Sequence, residues 1–290
     1  MSPTTYDINH LNWNIQSGGF DDYDPEILHP TRGEAITKRI AEFREVSGIS
    51  AVTLTDAYRW DDYYNGDSGI ATHLGFREAH YVRLNDERLN RDNGAGIGIA
   101  FATDERVHTS KALDLETRQG LGVILDVGRY GLQIANVYLD YLDEGIRIRQ
   151  VRALDAALES DIPTLAIGDF NGLRPNMRGA SMWVRAKDLA LRALINPTVQ
   201  AVARACPNQR ELATIFREMN RREIIRLMEL LGYQDGDSTR KQPTLPARFP
   251  MLGIDYVFRR GRVSVSDVIV RPIDGESDHR PMTFRSTIAA

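Results

Sequence analysis

Polar side chains stand at the ends of several apolar runs in this sequence. TLAIGDFN passes through apolar positions and ends on Asp169 and Asn171, LNWN ends on Asn14, TLTD ends on Asp56, and IANVY ends on Tyr138. Short apolar or β-branched runs predict strands, so these groups are expected at strand tips, where a sheet can hold them rigidly. Carboxylate and amide oxygens held in this way suit a hard divalent cation.

A second set of polar residues lies near the C-terminus. Asp255 lies in LGIDYVF, and GESDHRPM carries Ser277, Asp278 and His279 just before a last predicted strand, MTFRST. Oxygen ligands combined with one Asp-His pair suit Mg²⁺, which prefers carboxylates, carbonyls and water. The chain has one cysteine, so its pattern excludes a thiolate zinc site.

The elements that must position these residues are strands alternating with helices. Apolar runs predict strands at INHLNWNI, ISAVTLT, GIGIAFAT, LGVILDV, LQIANVYL, TLAIGDF, IDYVF and VSVSDVIV. Helical periodicity predicts one helix over 33–46, with Ile36 and Ile40 on one face, and another over about 145–159, with Val151 and Leu154 on one stripe. This mixture predicts an α/β fold in which helices cover β-sheets.

One long stretch departs from this alternation. From about 180 to 231 the pattern is almost wholly helical, and the strand pattern resumes afterwards. We therefore predict a helical insertion, 174–232, within a single domain that spans 1–290. Residues 1–173 carry 16 Lys and Arg against 28 Asp and Glu, whereas residues 174–290 carry 20 against 12. A basic second half favours a polyanion-binding region, although a solvated surface explains the asymmetry equally well.

Composition bounds the class of protein. With 290 residues, 42% hydrophobic and 26% charged, the chain can bury a sizeable core. No apolar run approaches the roughly 18 residues of a membrane span, and MSPTTYDINH lacks the basic and apolar regions of a signal peptide. We expect a cytoplasmic protein with no membrane span, and the sequence leaves its oligomeric state open.

Four motifs together carry a family resemblance. NWNI, IGDFN, GIDYVF and SDHRPM occur in this order and at roughly the spacing seen in the endonuclease/exonuclease/phosphatase superfamily. The sequence thus resembles metal-dependent phosphoesterases of the exonuclease III and DNase I type, from Asn14 to His279. The resemblance implies a four-layer α/β sandwich of two packed mixed β-sheets flanked by helices, and it leaves the helical insertion unmatched.

The resemblance implies a catalytic role for each of five residues. Asp169 would orient or deprotonate the attacking water, and Asn171 would hold phosphate or water by hydrogen bonds. Protonated His279 would donate to a non-bridging oxygen, and Asp255 would accept from the other nitrogen of His279. Tyr138 stands where many members have His; the exonuclease III branch also has Tyr there, so its phenol is expected to hydrogen-bond the phosphate.

The resemblance also implies a divalent metal, Mg²⁺ or Mn²⁺, held by Asn14, Asp56 and Asp278. Asp56 stands where the family usually has Glu. Its side chain is one methylene shorter, so either the metal shifts or a water bridges the gap. One or two metals remain equally open.

Three functions fit this pattern: a nuclease cleaving DNA or RNA, a hydrolase of small or lipid phosphoesters, and a catalytically weak binding domain. Endonuclease and exonuclease action are not distinguished by the sequence. Residues 174–229 carry 11 Arg and Lys against 5 Asp and Glu, which favours contacts with phosphates of a nucleic acid. The predicted substrate-binding residues are Arg174, Arg178, Arg217, Arg221 and Arg222. The Pro-rich stretch PTLPARFPMLGIDYVF instead favours the small-molecule alternative.

Overall fold

Two six-stranded β-sheets form the centre of the protein in a computed structural model. The structure describes residues 5–16, 31–84, 97–127, 129, 131–141, 143–172, 223–237, 243–244 and 253–289. From edge to edge, the first sheet contains β11 (Val263–Val270), β12 (Met282–Ala289), β1 (Thr5–Asn14), β2 (Ala51–Thr55), β4 (Gly98–Thr103) and β3 (Glu78–Arg83).

The second sheet has the same number of strands and a related pattern of pairing. From edge to edge it contains β5 (Val107–Asp114), β6 (Gln119–Leu125), β7 (Leu132–Tyr138), β8 (Thr164–Asp169), β10 (Asp255–Arg260) and β9 (Gln234–Asp235). Each sheet is mixed, because β1 and β2 run parallel in the first and β7 and β8 run parallel in the second. In a parallel pair, the C-terminal ends of both strands lie at the same end of the sheet.

Helices supply the connections that parallel pairs require. The described helices are α1 (Thr31–Ser47), α2 (Trp60–Tyr63), α3 (Gly66–Leu74), α4 (Glu144–Ala157) and α5 (Glu223–Leu230). Helix α1 links β1 to β2 and buries Ile36 and Ile40, as its periodicity predicts. Helix α4 links β7 to β8, and the residue before it, Asp143, caps it: the Asp143 carboxylate accepts a hydrogen bond from the Ile146 amide.

Side chains of β7 show how the layers are built. Ile134 lies in a buried cluster that joins the two sheets, whereas Ala135 and Val137 lie in a second cluster with residues of α4 and α5. This alternation follows from the two-residue period of a strand. Between the sheets, the buried Asn136 amide donates to the carbonyl oxygens of Leu54 at 3.0 Å and Ala100 at 2.9 Å, which fastens β7 to β2 and β4.

The predicted α/β sandwich of two mixed sheets with flanking helices is confirmed. Strands β3, β5 and β9 were not predicted; β3 and β5 are edge strands whose side chains are mostly partly or fully exposed. Edge strands carry charged and polar residues and therefore lack an apolar signal. Residues 174–222 of the predicted insertion lie outside the described residues, and α5 lies within its remaining part, 223–232. No helix in the described ranges is long and apolar enough to cross a membrane.

Candidate active site

Three neighbouring strands of the second sheet carry polar residues at the same end of the sheet, where β7 and β8 end and β10 begins. Tyr138 ends β7, Asp169 ends the parallel strand β8, and these two residues are paired across the ladder. Asp255 begins β10, which runs antiparallel to β8, and it is paired with Asp169. The registers therefore set Tyr138, Asp169 and Asp255 side by side, although they are far apart in sequence.

The ends of β1 and β2 in the first sheet lie next to these residues of the second sheet. Asn14 ends β1 opposite Thr55 of β2, and the next residue, Asp56, is buried with a positive φ of 58°. The Asn14 amide nitrogen donates to Asp169 Oδ2 at 3.1 Å. This hydrogen bond joins the tips of the two sheets.

Ser277, Asp278 and His279, here called the SDH motif, are held against the end of β1 by two hydrogen bonds. Ser277 Oγ donates to the Asn14 carbonyl at 2.7 Å, and the Trp13 indole donates to the His279 carbonyl at 2.9 Å. Asp278 remains partly exposed beside them. The motif is thus held against the strand that carries Asn14, so Asp278 and His279 enter the same site.

Asp169 is a buried carboxylate with several donors. Its Oδ1 accepts from the Asn171 backbone amide at 2.9 Å, and its Oδ2 accepts from Asn14. Burial, followed by the nearby charge of Asp255, raises the pKa of Asp169 to about 7. His279 and the two donors act in the opposite direction. A carboxyl group with this pKa can exchange a proton near neutral pH.

His279 lies between two carboxylates. Its Nδ1 is 2.9 Å from Asp255 Oδ2, and its Nε2 is 3.9 Å from Asp169 Oδ2. Burial disfavours the imidazolium, but the charges of Asp255, Asp278 and Asp169 outweigh burial and raise the pKa of His279 to about 10. The ring is therefore protonated at neutral pH, with Nδ1–H donated to Asp255 and Nε2–H directed toward Asp169.

Asn171 and Tyr138 both lie next to Asp169. Asn171 adopts a positive φ of 51°, and its side-chain amide donates to the Leu139 carbonyl at 2.9 Å. Its contacts thus hold the turn after β8 against the end of β7. Tyr138 is half-buried at the end of β7, on the strand face that points toward the other sheet. All eight predicted catalytic and metal-ligating residues lie at these strand tips or in the SDH motif.

One group of side chains that could hold a metal ion differs from the predicted metal ligands. Ligand atoms of Asp169, Asp255 and His279 lie within 4.8 Å of one another, whereas the sequence predicts ligation by Asn14, Asp56 and Asp278. Because the closest contact in this group is the His279–Asp255 hydrogen bond, we interpret it as a charge-paired group.

The chemistry of the donors fits a hard divalent cation. Asp56, Asp169 and Asp255 are all buried, and His279 supplies one positive charge against these three carboxylates. Buried negative charge is costly without compensation, and the raised pKa of Asp169 reflects that cost. A cation bound to oxygen ligands beside Asp169 would compensate the remaining charge.

Several residues that build the site were not predicted. Arg39 of α1 contacts Glu276 Oε1 through Nε and Nη2, each at 2.9 Å, and so ties the helix to the SDH segment. Arg118, which is buried, contacts the end of β7. Ser277 could have been found from its place in the SDH motif. Arg39 and Glu276 are 237 residues apart, so no local pattern links them.

The predicted substrate-binding arginines are not part of the described site. Arg174, Arg178, Arg217, Arg221 and Arg222 all lie outside the described residues. The described chain leaves the site at Gly172 and returns at Glu223. Ile224 packs so closely on Gly172 that an added Cβ would lie 2.5 Å from Ile224 Cδ1. Gly172 and Ile224, which lie on either side of residues 173–222 in the sequence, are therefore in contact next to Asn171.

Comparison with known proteins agrees with this geometry. The profile of the Endonuclease/Exonuclease/phosphatase family matches residues 11–279. The chain belongs to this family. Its matched range includes all the residues of the site described above. Members of the family are hydrolases that act on phosphoesters, generally with a divalent metal.

Solved structures show the same fold at low sequence identity. An endonuclease/exonuclease/phosphatase from Beutenbergia cavernae DSM 12333 is 16% identical with a TM-score of 0.64, covering 98% of this chain and 72% of that chain. A conserved protein of unknown function from Enterococcus faecalis V583 is 15% identical with a TM-score of 0.63, covering 96% and 99%. The human nocturnin catalytic domain, with bound sulfate, is 13% identical with a TM-score of 0.55, covering 98% and 96%. No protein of curated function matches the sequence significantly.

Proposed function

We propose that this protein is a metal-dependent phosphodiesterase, and specifically a nuclease that cleaves DNA or RNA by attack of an activated water. The observation that carries this proposal is the arrangement of Asp169, His279 and Asp255. The His279 ring lies between the two carboxylates, with Nε2 3.9 Å from Asp169 Oδ2 and Nδ1 2.9 Å from Asp255 Oδ2. Asp169 can accept a proton, and protonated His279 can donate a hydrogen bond to an oxygen on which negative charge develops. Hydrolysis of a phosphodiester requires both functions.

In the proposed reaction, Asp169 accepts a proton from water as the water oxygen forms a bond to phosphorus. The bond from phosphorus to the leaving oxygen breaks, and that oxygen takes a proton from solvent. Protonated His279 donates from Nε2 to a non-bridging oxygen, where negative charge accumulates. Asp255 keeps the ring oriented and protonated. No covalent enzyme intermediate is required.

Five further residues complete the proposed site. Asn14, Asp56 and Asp278 would hold a divalent cation, and we propose Mg²⁺, with Mn²⁺ as a substitute. The cation would supply counter-charge to the phosphate. Tyr138 would donate its phenolic hydrogen to a phosphate oxygen, and Asn171 would hold phosphate or water while it braces the turn that carries Asp169.

The substrate class can be tested with a panel assay, with and without Mg²⁺. The panel contains duplex DNA, abasic duplex DNA, single-stranded DNA, RNA, inositol phosphates and sphingomyelin. Mg²⁺-dependent cleavage of a nucleic acid would support the proposal. Turnover of only inositol phosphates or sphingomyelin would replace it with the small-molecule alternative, and no turnover on any substrate would favour a binding domain.

The predicted arginine contacts can be tested separately through salt dependence. If Arg217, Arg221 and Arg222 neutralise phosphates, the logarithm of affinity for a long nucleic acid should fall with the logarithm of salt by about 0.9 per phosphate. Replacing all three with Gln should flatten this slope, while hydrolysis of a short model phosphodiester stays nearly unchanged. An unaltered slope would assign these arginines a structural role.

A further inference from the structure

Arg118 is a buried cation at the border of the candidate site. It is 2% exposed and closes the short turn between β5 and β6, where its carbonyl accepts from the Leu115 amide at 2.8 Å. Strands β6 and β7 are antiparallel, with Leu121 opposite Asn136. Continuing this register brings Arg118 to the end of β7, directly beside Tyr138 and Leu139.

The Arg118 guanidinium binds the backbone at the tip of β7. Nη1 donates to the Tyr138 carbonyl at 3.2 Å and to the Leu139 carbonyl at 2.7 Å. The Leu139 carbonyl also accepts from the Asn171 side chain at 2.9 Å, and the Leu139 amide donates to the Asp169 carbonyl at 2.9 Å. One peptide segment therefore connects Arg118 to Asn171 and Asp169.

The same guanidinium contacts the Tyr138 side chain. Its central carbon lies 5.0 Å from the centroid of the Tyr138 ring and 5.9 Å from that of Tyr141, and Nη2 lies 4.0 Å from Asp140 Oδ2. A cation over an aromatic face is attracted to the ring, more strongly when both are shielded from water. The Arg118 guanidinium is thus in contact with both the backbone and the ring of Tyr138.

We propose that Arg118 is a positioning residue that sets the Tyr138 ring and the Asn171 amide for the reaction. Its kinetic consequence rests on the proposed phosphodiesterase function. Arg118 acts through the Leu139 carbonyl and the Tyr138 ring, and the substrate does not touch it. Lysine at this position can keep the charge but cannot supply the planar fork of donors, and methionine removes both.

The kinetic test compares Arg118→Lys and Arg118→Met with wild type on a short phosphodiester, at temperatures where each variant is folded. We expect kcat to fall by about 10- to 100-fold, more for Met than for Lys, with KM within about twofold. Arg118→Met should lower kcat less in a Tyr138→Phe background than in wild type. The reason is that Arg118 acts partly by placing the Tyr138 hydroxyl, which Tyr138→Phe already removes. Full activity, or losses that simply multiply, would overturn the proposal.

A matched control is Arg147→Lys. Arg147 is also fully buried and donates to the Asp140 carbonyl at 2.8 Å, but its ion pair is with Glu144 of α4. We expect this variant to lower the melting temperature and leave kcat within about twofold. Equal losses of kcat in Arg147→Lys and Arg118→Lys would assign Arg118 a purely structural role.

A second readout does not depend on activity. In protein labelled with 3-fluorotyrosine, the Tyr138 ¹⁹F resonance is the one of 11 that disappears in Tyr138→Phe. It should shift or broaden in Arg118→Met and stay unchanged in Arg147→Lys. An unchanged Tyr138 resonance in Arg118→Met would overturn the proposal even if wild type hydrolyses no phosphoester, an outcome that would separately refute the proposed function.

Discussion

Asp169 and His279 differ in charge because their surroundings differ. Burial and the neighbouring Asp255 raise the pKa of Asp169 to about 7, whereas three carboxylates raise the pKa of His279 to about 10. Between these values an ionised Asp169 lies beside a protonated His279, which is the combination that the proposed mechanism needs. Neighbouring groups with separated pKa values are how a protein assigns acid and base roles at neutral pH.

Substitution of the base and of the donor tests their roles directly. We expect Asp169→Asn and His279→Ala each to lower kcat by about 10² or more, with a much smaller effect on substrate binding. Asp161→Asn and His108→Ala, which change exposed residues of the same types, serve as controls. Near-wild-type turnover in a folded Asp169→Asn or His279→Ala protein would refute the role of that residue.

The pH dependence of kcat/KM should be bell-shaped. Asp169 must be ionised, so activity rises with pH through the pKa of Asp169; His279 must be protonated, so activity falls with pH through the pKa of His279. Bound Mg²⁺ would place both limbs below the metal-free values of about 7 and about 10. In Asp255→Asn both limbs should move to lower pH at fixed Mg²⁺, because the Asp255 charge raises both pKa values. A profile whose limbs do not move in this variant would contradict the assignment.

At the scale of residues, the sequence predicts candidate site residues but not the contacts between them. Asp169, Asp255 and His279 follow from motifs, since each is next to a strong strand signal. The Asn14–Asp169 hydrogen bond and the Arg118 contacts with β7 join segments that are distant in sequence. Such pairings depend on register and on packing between sheets, which short patterns do not encode.

At the scale of elements, strand β8 has a constraint in its backbone. Gly168 has a φ of +136°, and a Cβ added there would lie 2.0 Å from the Val137 carbonyl of the paired strand β7. Only glycine fits this close approach. The glycine of the IGDFN motif is therefore required by the parallel pair that delivers Tyr138 and Asp169.

Replacing this glycine should be costly. We expect Gly168→Ala to lower the free energy of unfolding by roughly 3 kcal/mol or more, because strain and overpacking add, and to reduce turnover by displacing Asp169. Gly75→Ala is the control: its φ is +73°, with no atom within 4 Å of the added Cβ, so about 1 kcal/mol is expected. Chemical denaturation measures both; equal losses would show that the contact with Val137 is unimportant.

Helix boundaries were predicted well where an apolar period marks one buried face. The helix predicted over 33–46 is observed as Thr31–Ser47, and the one predicted over about 145–159 is Glu144–Ala157. Strand β5 escaped prediction because six of its eight side chains are exposed. An edge strand forms through backbone pairing with its neighbour, so its sequence need not show an apolar pattern.

At the scale of the whole molecule, the site exists only because two sheets pack face to face. Asn14 and Asp56 come from the first sheet, whereas Tyr138, Asp169 and Asp255 come from the second. Their layered arrangement could be predicted from the ordered motifs and the family resemblance. The relative placement of the sheets depends on contacts such as the Asn136 bridge, which sequence patterns do not reveal.

Metal-dependent hydrolysis of a phosphodiester is the reaction that we propose for the strand ends shared by the two sheets. The most direct measurement is turnover of bis(4-nitrophenyl) phosphate by protein freed of metal with EDTA, before and after addition of excess Mg²⁺. We expect no turnover above background without metal, recovery with Mg²⁺ in wild type, and recovery lower by about 10² or more in Asp169→Asn. Full turnover in excess EDTA, or equal recovery in Asp169→Asn, would contradict the account.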